Sequence, residues 1–294
     1  MKKGILIVNS FLDTPSVRDT YDLLLEGAKH CGIRMDLIGN DRFFVDPGSG
    51  LIETDEHKAL NDADFILFWN KDLFLGRALE RAGHRLFNPA DAIEACDNKA
   101  LTFEKLEGVC RVPKTLKIPM TFNTIGYGDL SFEDHIGNIL GYPYIIKECL
   151  GSYGGQVYMA EDEKKARSII KAIEGKDCIA QEYIRSSHGR DIRAYVVGNE
   201  VVAAMERYND TDFRSNIANG GKSRPIAISD EQAGMALAAT KKLGMDFAGV
   251  DILFGDDGES FLCEVNSNAQ FRALYETTGI NITHALFEHI ISVC

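Results

Sequence analysis

The sequence predicts a mixed α/β and α+β protein. A doubly wound α/β unit over residues 1–98 is followed by two α+β units, over 99–184 and 185–294. Three observations carry this. The first hundred residues alternate continuous apolar runs with segments of helical period, the pattern of buried parallel strands joined by crossover helices. Residues 142–184 run strand, glycine loop, strand, helix, strand. Residues 250–266 form a hairpin with one apolar face and one face carrying two carboxylates.

Taken in order, Gly4 to Val8 reads as a strand buried on both faces. Ser16 is the expected N-cap of a helix on which Val17, Tyr21, Leu24, Leu25 and Ala28 keep the period, with Gly32 as its stop. Ile33 to Ile38 completes a βαβ unit. The turn between, Asn9-Ser10-Phe11-Leu12, lacks GxGxxG, so no dinucleotide site is expected there. Phe65 to Trp69 is a strand, Leu73 to Ala82 a helix, Arg85 to Phe87 a short strand and Asp91 to Glu107 a helix. Prolines hold 112–120 extended. Phe132 to Leu140 is a helix and Tyr142 to Glu148 a strand. Gly151-Ser152-Tyr153-Gly154-Gly155 leads into the strand Gln156 to Met159, the helix Ala160 to Ile173 and the strand Cys178 to Ile184. Asp191 to Val197 and Glu200 to Glu206 pair across Gly198-Asn199, and a long loop is expected from Arg207 to Arg224. Ser229-Asp230-Glu231-Gln232 is a capping box for a helix ending at Gly244. A last helix is expected from Ile282 to Ile290.

Composition narrows the function. At 294 residues the chain can bury a large core, and a net charge of −12 argues against a sequence-independent grip on nucleic acid. The seven cysteines are scattered, without CxxC, as in a reduced, cytoplasmic protein. No apolar run approaches membrane-spanning length, and the N-terminal run reads as a strand rather than a leader. The seven histidines share no ligand-like spacing and pair with no nucleophile, so covalent Ser or Cys catalysis is not indicated.

The acidic hairpin is the chain's most informative piece. With Asp257-Gly258 at the tip as a type I′ pair, Ser260 pairs with Gly255 and Asp251 falls opposite Glu264. Val250, Ile252, Phe254, Phe261, Cys263 and Val265 then share the apolar face. Asn266 joins the carboxylates, with Leu253 and Leu262 on that same outer face. Opposed carboxylates repel, and an interposed cation relieves them. The donors are all oxygens, which suits Mg²⁺ or Mn²⁺ before Ca²⁺ and zinc least. A hairpin with one solvated face is the plainer alternative.

Other pieces are weaker singly. The glycines of 151–155 let backbone N–H groups close on phosphate, or form an ordinary hairpin loop. Lys147 ends an apolar strand, from which it reaches phosphate or snorkels to water. Lys99 taken alone fits a solvated helix face. Gln181 to Ile184 offers a strand edge for a purine, and Asp191 an acceptor for ribose hydroxyls. Arg207, Arg214 and Asn216, in a loop with Gly220-Gly221, suit a transferring phosphate or a carboxylate.

Together these pieces resemble the ATP-grasp superfamily, and within it the RimK-type ligases that attach glutamate to a carboxyl group. The carrying runs are Asp191-Ile192-Arg193-Ala194-Tyr195-Val196-Val197-Gly198, Ala203-Ala204-Met205-Glu206-Arg207, Phe213-Arg214-Ser215-Asn216, Ala248-Gly249-Val250-Asp251-Ile252-Leu253 and Glu264-Val265-Asn266-Ser267. The resemblance implies an ATP-grasp fold behind a pre-ATP-grasp domain. It implies ATP as cosubstrate, two Mg²⁺ ions held by Asp251, Glu264 and Asn266, and an amino acid and a carboxylate acceptor as partners. By the same resemblance Lys99, Lys147 and the loop Gly151, Ser152, Tyr153, Gly154, Gly155 contact phosphates. Glu182 and Tyr183 hold adenine and Asp191 the ribose, while Arg207, Arg214 and Asn216 steady the transferred phosphoryl group, and Ser215 joins Arg214 and Asn216 in binding the nucleotide. Association into a homo-oligomer is common in such folds. Ser267-Asn268-Ala269-Gln270-Phe271 stands where relatives carry a Ser-Pro-Gly type ending, on the acceptor's path. That departure keeps D-alanine–D-alanine and lysine-biosynthesis type ligases as alternatives. A non-catalytic ATP-binding regulatory module is the alternative from another class.

Overall fold

The computed structural model describes residues 1–151 and 154–294; Ser152 and Tyr153 of the expected phosphate loop lie outside the described residues. The N-terminal elements are β1 (Lys3–Val8), α1 (Pro15–His30), β2 (Arg34–Gly39), the small hairpin β3 (Phe44–Val45) and β4 (Ile52–Glu53), α2 (His57–Asp62), β5 (Phe65–Trp69), α3 (Leu73–Arg81) and β6 (Leu86–Phe87). β2-β1-β5-β6 form a parallel sheet. Every residue of β5 is buried, as its continuous apolar run requires. Helix α1 is capped by Thr14 rather than Ser16, because Pro15 takes the first turn, where its missing N–H costs nothing. The pieces β3, β4 and α2 are too short to register as periodicity.

The helix expected over Asp91 to Glu107 breaks into α4 (Ala90–Asp97) and α5 (Lys99–Lys105). Asn98 leaves the helical region at φ −95°, ψ 107°, and its side chain accepts from the N–H groups of Ala100 and Leu101. The break turns Lys99 inward, where it is 6% exposed, so the solvated-face reading of that residue is corrected.

A second, antiparallel sheet follows in the order β7-β10-β8-β9, from β7 (Thr115–Lys117), β8 (Tyr144–Glu148), β9 (Val157–Ala160) and β10 (Cys178–Glu182). Helices α6 (Phe132–Leu140) and α7 (Glu163–Ala172) cover one face. Tyr144, Ile146 and Ala180 pack there with Ile136, Ile169 and Ile170. Strand alternation then sends Ile145, Lys147 and Gln181 to the opposite face.

The third sheet is antiparallel, in the order β13-β12-β11-β14-β15: β11 (Arg190–Val197), β12 (Glu200–Tyr208), β13 (Lys222–Pro225), β14 (Phe247–Phe254) and β15 (Ser260–Asn266). Helix α8 (Asp230–Lys242) opens with the expected capping box. It lays Met235, Ala236 and Ala239 on Ile192, Ala194, Val250, Ile252 and Leu262. The other face is divided. One half, Tyr195, Val197, Ala203, Met205 and Phe247, joins Leu6 and Trp69 of the N-terminal sheet and Phe287 in one core. Trp69 stacks on Phe247 at 5.6 Å and 8°. The other half is charged. Helices α9 (Arg272–Thr278), which sequence pattern missed, and α10 (Thr283–Val293) end the chain. No helix among the described residues is long and apolar enough to cross a membrane.

Asn88, fully buried, ties the two sheets together. Its Nδ2 donates to the carbonyls of Phe247 (3.0 Å) and Ser267 (3.2 Å), and its Oδ1 accepts from the N–H groups of Asp246 (2.7 Å) and Phe247 (3.1 Å). Asn88→Ala leaves these backbone groups unpaired at about 1–3 kcal/mol each. Urea denaturation is expected to record a loss of roughly 3 kcal/mol or more; a loss within experimental scatter would deny the tie.

Candidate active site

The cleft lies between the helix-free face of the second sheet and the charged half of the third. Its lining includes Lys99, Lys147, Gly151, Gly154, Glu182 and Tyr183. From the third sheet and its loop come Asp191, Arg207, Arg214, Ser215, Asn216, Asp251 and Glu264. Most of the sequence-derived candidates therefore meet in one place. Gly155 and Asn266 are not on this lining, although Asn266 Nδ2 lies 3.4 Å from Asp251 Oδ2.

The acidic hairpin pairs Asp251 with Glu264 as expected, by a different route. Asp257 and Gly258 both take positive φ (53° and 86°), but inside a longer turn closed by Gly255 N–H on the Glu259 carbonyl at 2.8 Å. Phe254 therefore pairs with Ser260, and Ile252 with Leu262. A β-bulge at Cys263 restores the Asp251–Glu264 register. The altered register corrects three assignments: Leu262 goes into the core, Phe261 pairs with Leu253 and leaves the apolar face, and Cys263 faces the cleft, its Sγ 3.7 Å from Lys147 Nζ. The site thus holds a sulfur that the register drawn from sequence had placed on the apolar face. Burial pushes the Cys263 thiol pKa up, against the pull of Lys147.

Cations answer each carboxylate. Arg193 on β11 lies opposite Asp251 and grips it with two hydrogen bonds, Nη2 to Oδ2 at 2.9 Å. Arg207 belongs to strand β12 rather than to the loop assigned from sequence. It donates to Asp191 at 2.8 and 2.5 Å and reaches Asp251 at 3.1 Å. Burial works against the charge on Arg207, yet Asp191 and Asp251 hold its pKa above the usual value. Burial likewise opposes ionisation of Asp251, and Arg193 with Arg207 outweighs it, so this carboxyl lies below the usual range. Asp191, expected near a ribose, gives both oxygens to Arg207. Lys99 pairs with Glu264 at 3.3 Å and reaches the Gly151 carbonyl at 3.4 Å.

Arg193 sat within a motif run but had been given no role. Its signal was the strand period, since Asp191 and Arg193 must share a face. Gly249 makes room for it: a Cβ there would stand 2.3 Å from Ala269 Cβ and 3.3 Å from Arg193 Cδ. Arg214 spans two loops, donating to the Gly154 carbonyl at 3.0 Å while held by Asp212 at 3.1 and 2.7 Å. At the far end, Gln181 donates to Thr115 Oγ1 at 2.9 Å, Glu182 accepts from Lys114 N–H at 3.3 Å, and the Tyr183 hydroxyl meets His188 Nδ1. Ile145, Ile184 and Leu253 supply an apolar wall beside them.

The donor chemistry fits a hard divalent ion. Asp251 and Glu264 face each other across the ladder, with the amide group of Asn266 beside Asp251 and Lys99 and Arg207 close by. Glu133, Asp134 and Glu163 also lie within metal-binding distance of one another, but Arg167 pairs with all three, with Glu133 and Glu163 at 3.6 and 3.1 Å.

The fold is shared with D-alanine–D-alanine ligase from Bacillus anthracis complexed with ATP, at a TM-score of 0.73 and 17% identity over 99% of this chain and 96% of that one. Among sequence relatives, a probable alpha-L-glutamate ligase of Enterobacter sp. (strain 638) is 36% identical over 217 residues, covering 73% of this chain and 70% of that protein. Human N-acetylaspartylglutamate synthase A is 32% identical over 226 residues, 76% of this chain and 56% of that protein. Fold and cleft together define an ATP-grasp ligase, an enzyme that makes carbon–nitrogen bonds at the expense of ATP. The chain belongs to the RimK-like ATP-grasp domain family, whose model matches residues 106–290.

Proposed function

We propose that this ligase adds glutamate, or a similar amino acid, to a carboxylate acceptor. The supporting observation is the meeting, in one cleft, of four cationic side chains (Lys99, Lys147, Arg207, Arg214) with an opposed carboxylate pair. An acceptor carboxylate oxygen attacks the γ-phosphorus of ATP and ADP leaves, giving an acyl phosphate. The amine nitrogen of the incoming amino acid then attacks the acyl carbon. Phosphate leaves, the nitrogen loses a proton, and an amide results. In this reading Lys99 and Lys147 hold phosphates, with the backbone at Gly151 and Gly154 beside them. The edge at Glu182 and Tyr183 takes the adenine. Arg207, Arg214, Ser215 and Asn216 steady the transferred group, with Asp191 orienting Arg207. The protein acts by positioning and by neutralising charge. Asp251, Glu264 and Asn266 would hold two Mg²⁺ ions, or Mn²⁺ in their place, whose chemistry is to neutralise the β- and γ-phosphate oxygens. The working units are residues 1–98, 99–184 and 185–294, in a cytoplasmic enzyme that associates with itself.

The test is magnesium-dependent ADP release over a panel of carboxylates and amino acids, D-alanine included, with product masses determined. A glutamyl adduct is expected. D-alanyl-D-alanine, or nucleotide binding without ADP release under any pairing, would overturn the reading. Lys147→Met, which keeps the buried stem and removes the charge, is expected to raise the KM for ATP by about tenfold, the effect of about 1.4 kcal/mol, in steady-state kinetics.

A further inference from the structure

A second concavity, of about 580 Å³, opens on the N-terminal sheet between the carboxyl ends of β1 and β2 and the first turns of α1. That volume is in the range of small-molecule sites, and the groove opens at the carboxyl ends of two paired parallel strands. None of its lining residues belongs to the catalytic cleft. At Gly39 the hydrogen-bonded side chains of Ser10 and Asp41 pack down on the backbone, where a Cβ would stand 1.9 Å from Ser10 Oγ and 2.5 Å from Asp41 Oδ1. Leu12, Leu37 and Ala59 give it an apolar wall.

Its charges are of both signs. Arg18 pairs with Asp13, and Arg42 lies 3.7 Å from Glu56. The Arg18–Asp13 pair is about 60% exposed on each side. Exposed pairs of this kind are worth about 0–1 kcal/mol, so a ligand can exchange with them at little cost. A phosphate ester is disfavoured, because Asp13, Asp36, Asp41 and Glu56 outnumber the two arginines. A simple amine would engage only the acidic side chains and leave the arginines with the internal partners they already have.

We propose that this groove binds a short zwitterionic peptide of two or three residues. Its ammonium is set against Asp41 and Glu56, its carboxylate against Arg18, and its side chains along Leu12 and Leu37. A concavity of drug-ligand size exceeds what a single amino acid fills, and a peptide also brings amide groups for Asn9 and Ser10.

Titration calorimetry with trialanine tests this without any turnover. Trialanine is expected to bind, and N-acetyl-trialanine and trialanine amide to bind at least tenfold more weakly. Arg18→Ala and Asp41→Asn, both on exposed side chains, are each expected to weaken trialanine at least tenfold. Lys147→Met, which weakens ATP binding in the cleft, is expected to leave it unchanged. Absence of trialanine binding to the wild type, equal binding of the capped peptides, or loss on Lys147→Met with retention on Arg18→Ala would each overturn the proposal. None of these outcomes bears on ADP release, so the catalytic reading stands or falls separately.

Discussion

Glu264→Gln is expected to reduce kcat for ADP release by about 10²–10³, roughly 2.7–4 kcal/mol of barrier, the loss that follows removal of one preorganised charge partner from a transition state. The substitution keeps side-chain length and leaves an amide oxygen for Lys99, whose only ion-pair partner among the described residues is Glu264, at 3.3 Å. Because Glu264 answers the buried Lys99, the substitution is also expected to cost about 1–3 kcal/mol of folding stability. The measurement pairs initial rates across a magnesium titration with thermal unfolding of the same preparations. The wild-type rate should saturate with magnesium, and the variant should need a higher concentration to reach a lower plateau. Wild-type turnover in the variant, at ordinary magnesium, would remove Glu264 from the proposed metal set.

The sequence carried the gross architecture because its apolar periods are long and clear. The all-buried β5, the capping box of α8 and the hairpin of β11 and β12 were each legible from a handful of residues. Register proved harder. The bulge at Cys263 has no signature of its own: a one-residue insertion leaves composition untouched while exchanging the faces of Leu262 and Cys263. The solvated helix face that pattern alone implies for Lys99 fails because the break at Asn98 is a capping event inside an unbroken helical pattern, while the resemblance directs Lys99 to the cleft that it lines. Arg207 was assigned to a loop because β12 extends to Tyr208 through polar residues, whose strand conformation comes from pairing with β11 and β13 rather than from local preference. The arginines that answer the carboxylates are a tertiary fact. The strand period puts Asp191 and Arg193 on one face, but only the packing of three strands joins that face to Asp251 and Arg207.

Asp251→Asn should have the larger effect on folding. Asp251 is 3% exposed and carries two arginine contacts. Neutralising it leaves two buried guanidinium groups sharing the remaining charge of Asp191. Removing one member of a buried ionic set costs about 3–5 kcal/mol, which should lower Tm on the order of 10 °C. The cost has a pH signature. The arginines hold the folded-state pKa of Asp251 below its ordinary value, so its stabilising contribution is complete above the unfolded value of about 3.9 and drains away as pH falls through the folded value. The Tm gap between wild type and variant should therefore be constant from neutral pH down to about 4 and close below it. A gap that persists unchanged into stronger acid would mean that Asp251 acts by shape alone. Adding Arg193→Met separates folding from chemistry. The pair removes both a carboxylate and the guanidinium it answered, so most of the lost stability should return. ADP release should not return, because restoring charge balance does not restore an oxygen for the proposed ion. Recovery of both in the double variant would show that Asp251 was needed only to neutralise Arg193.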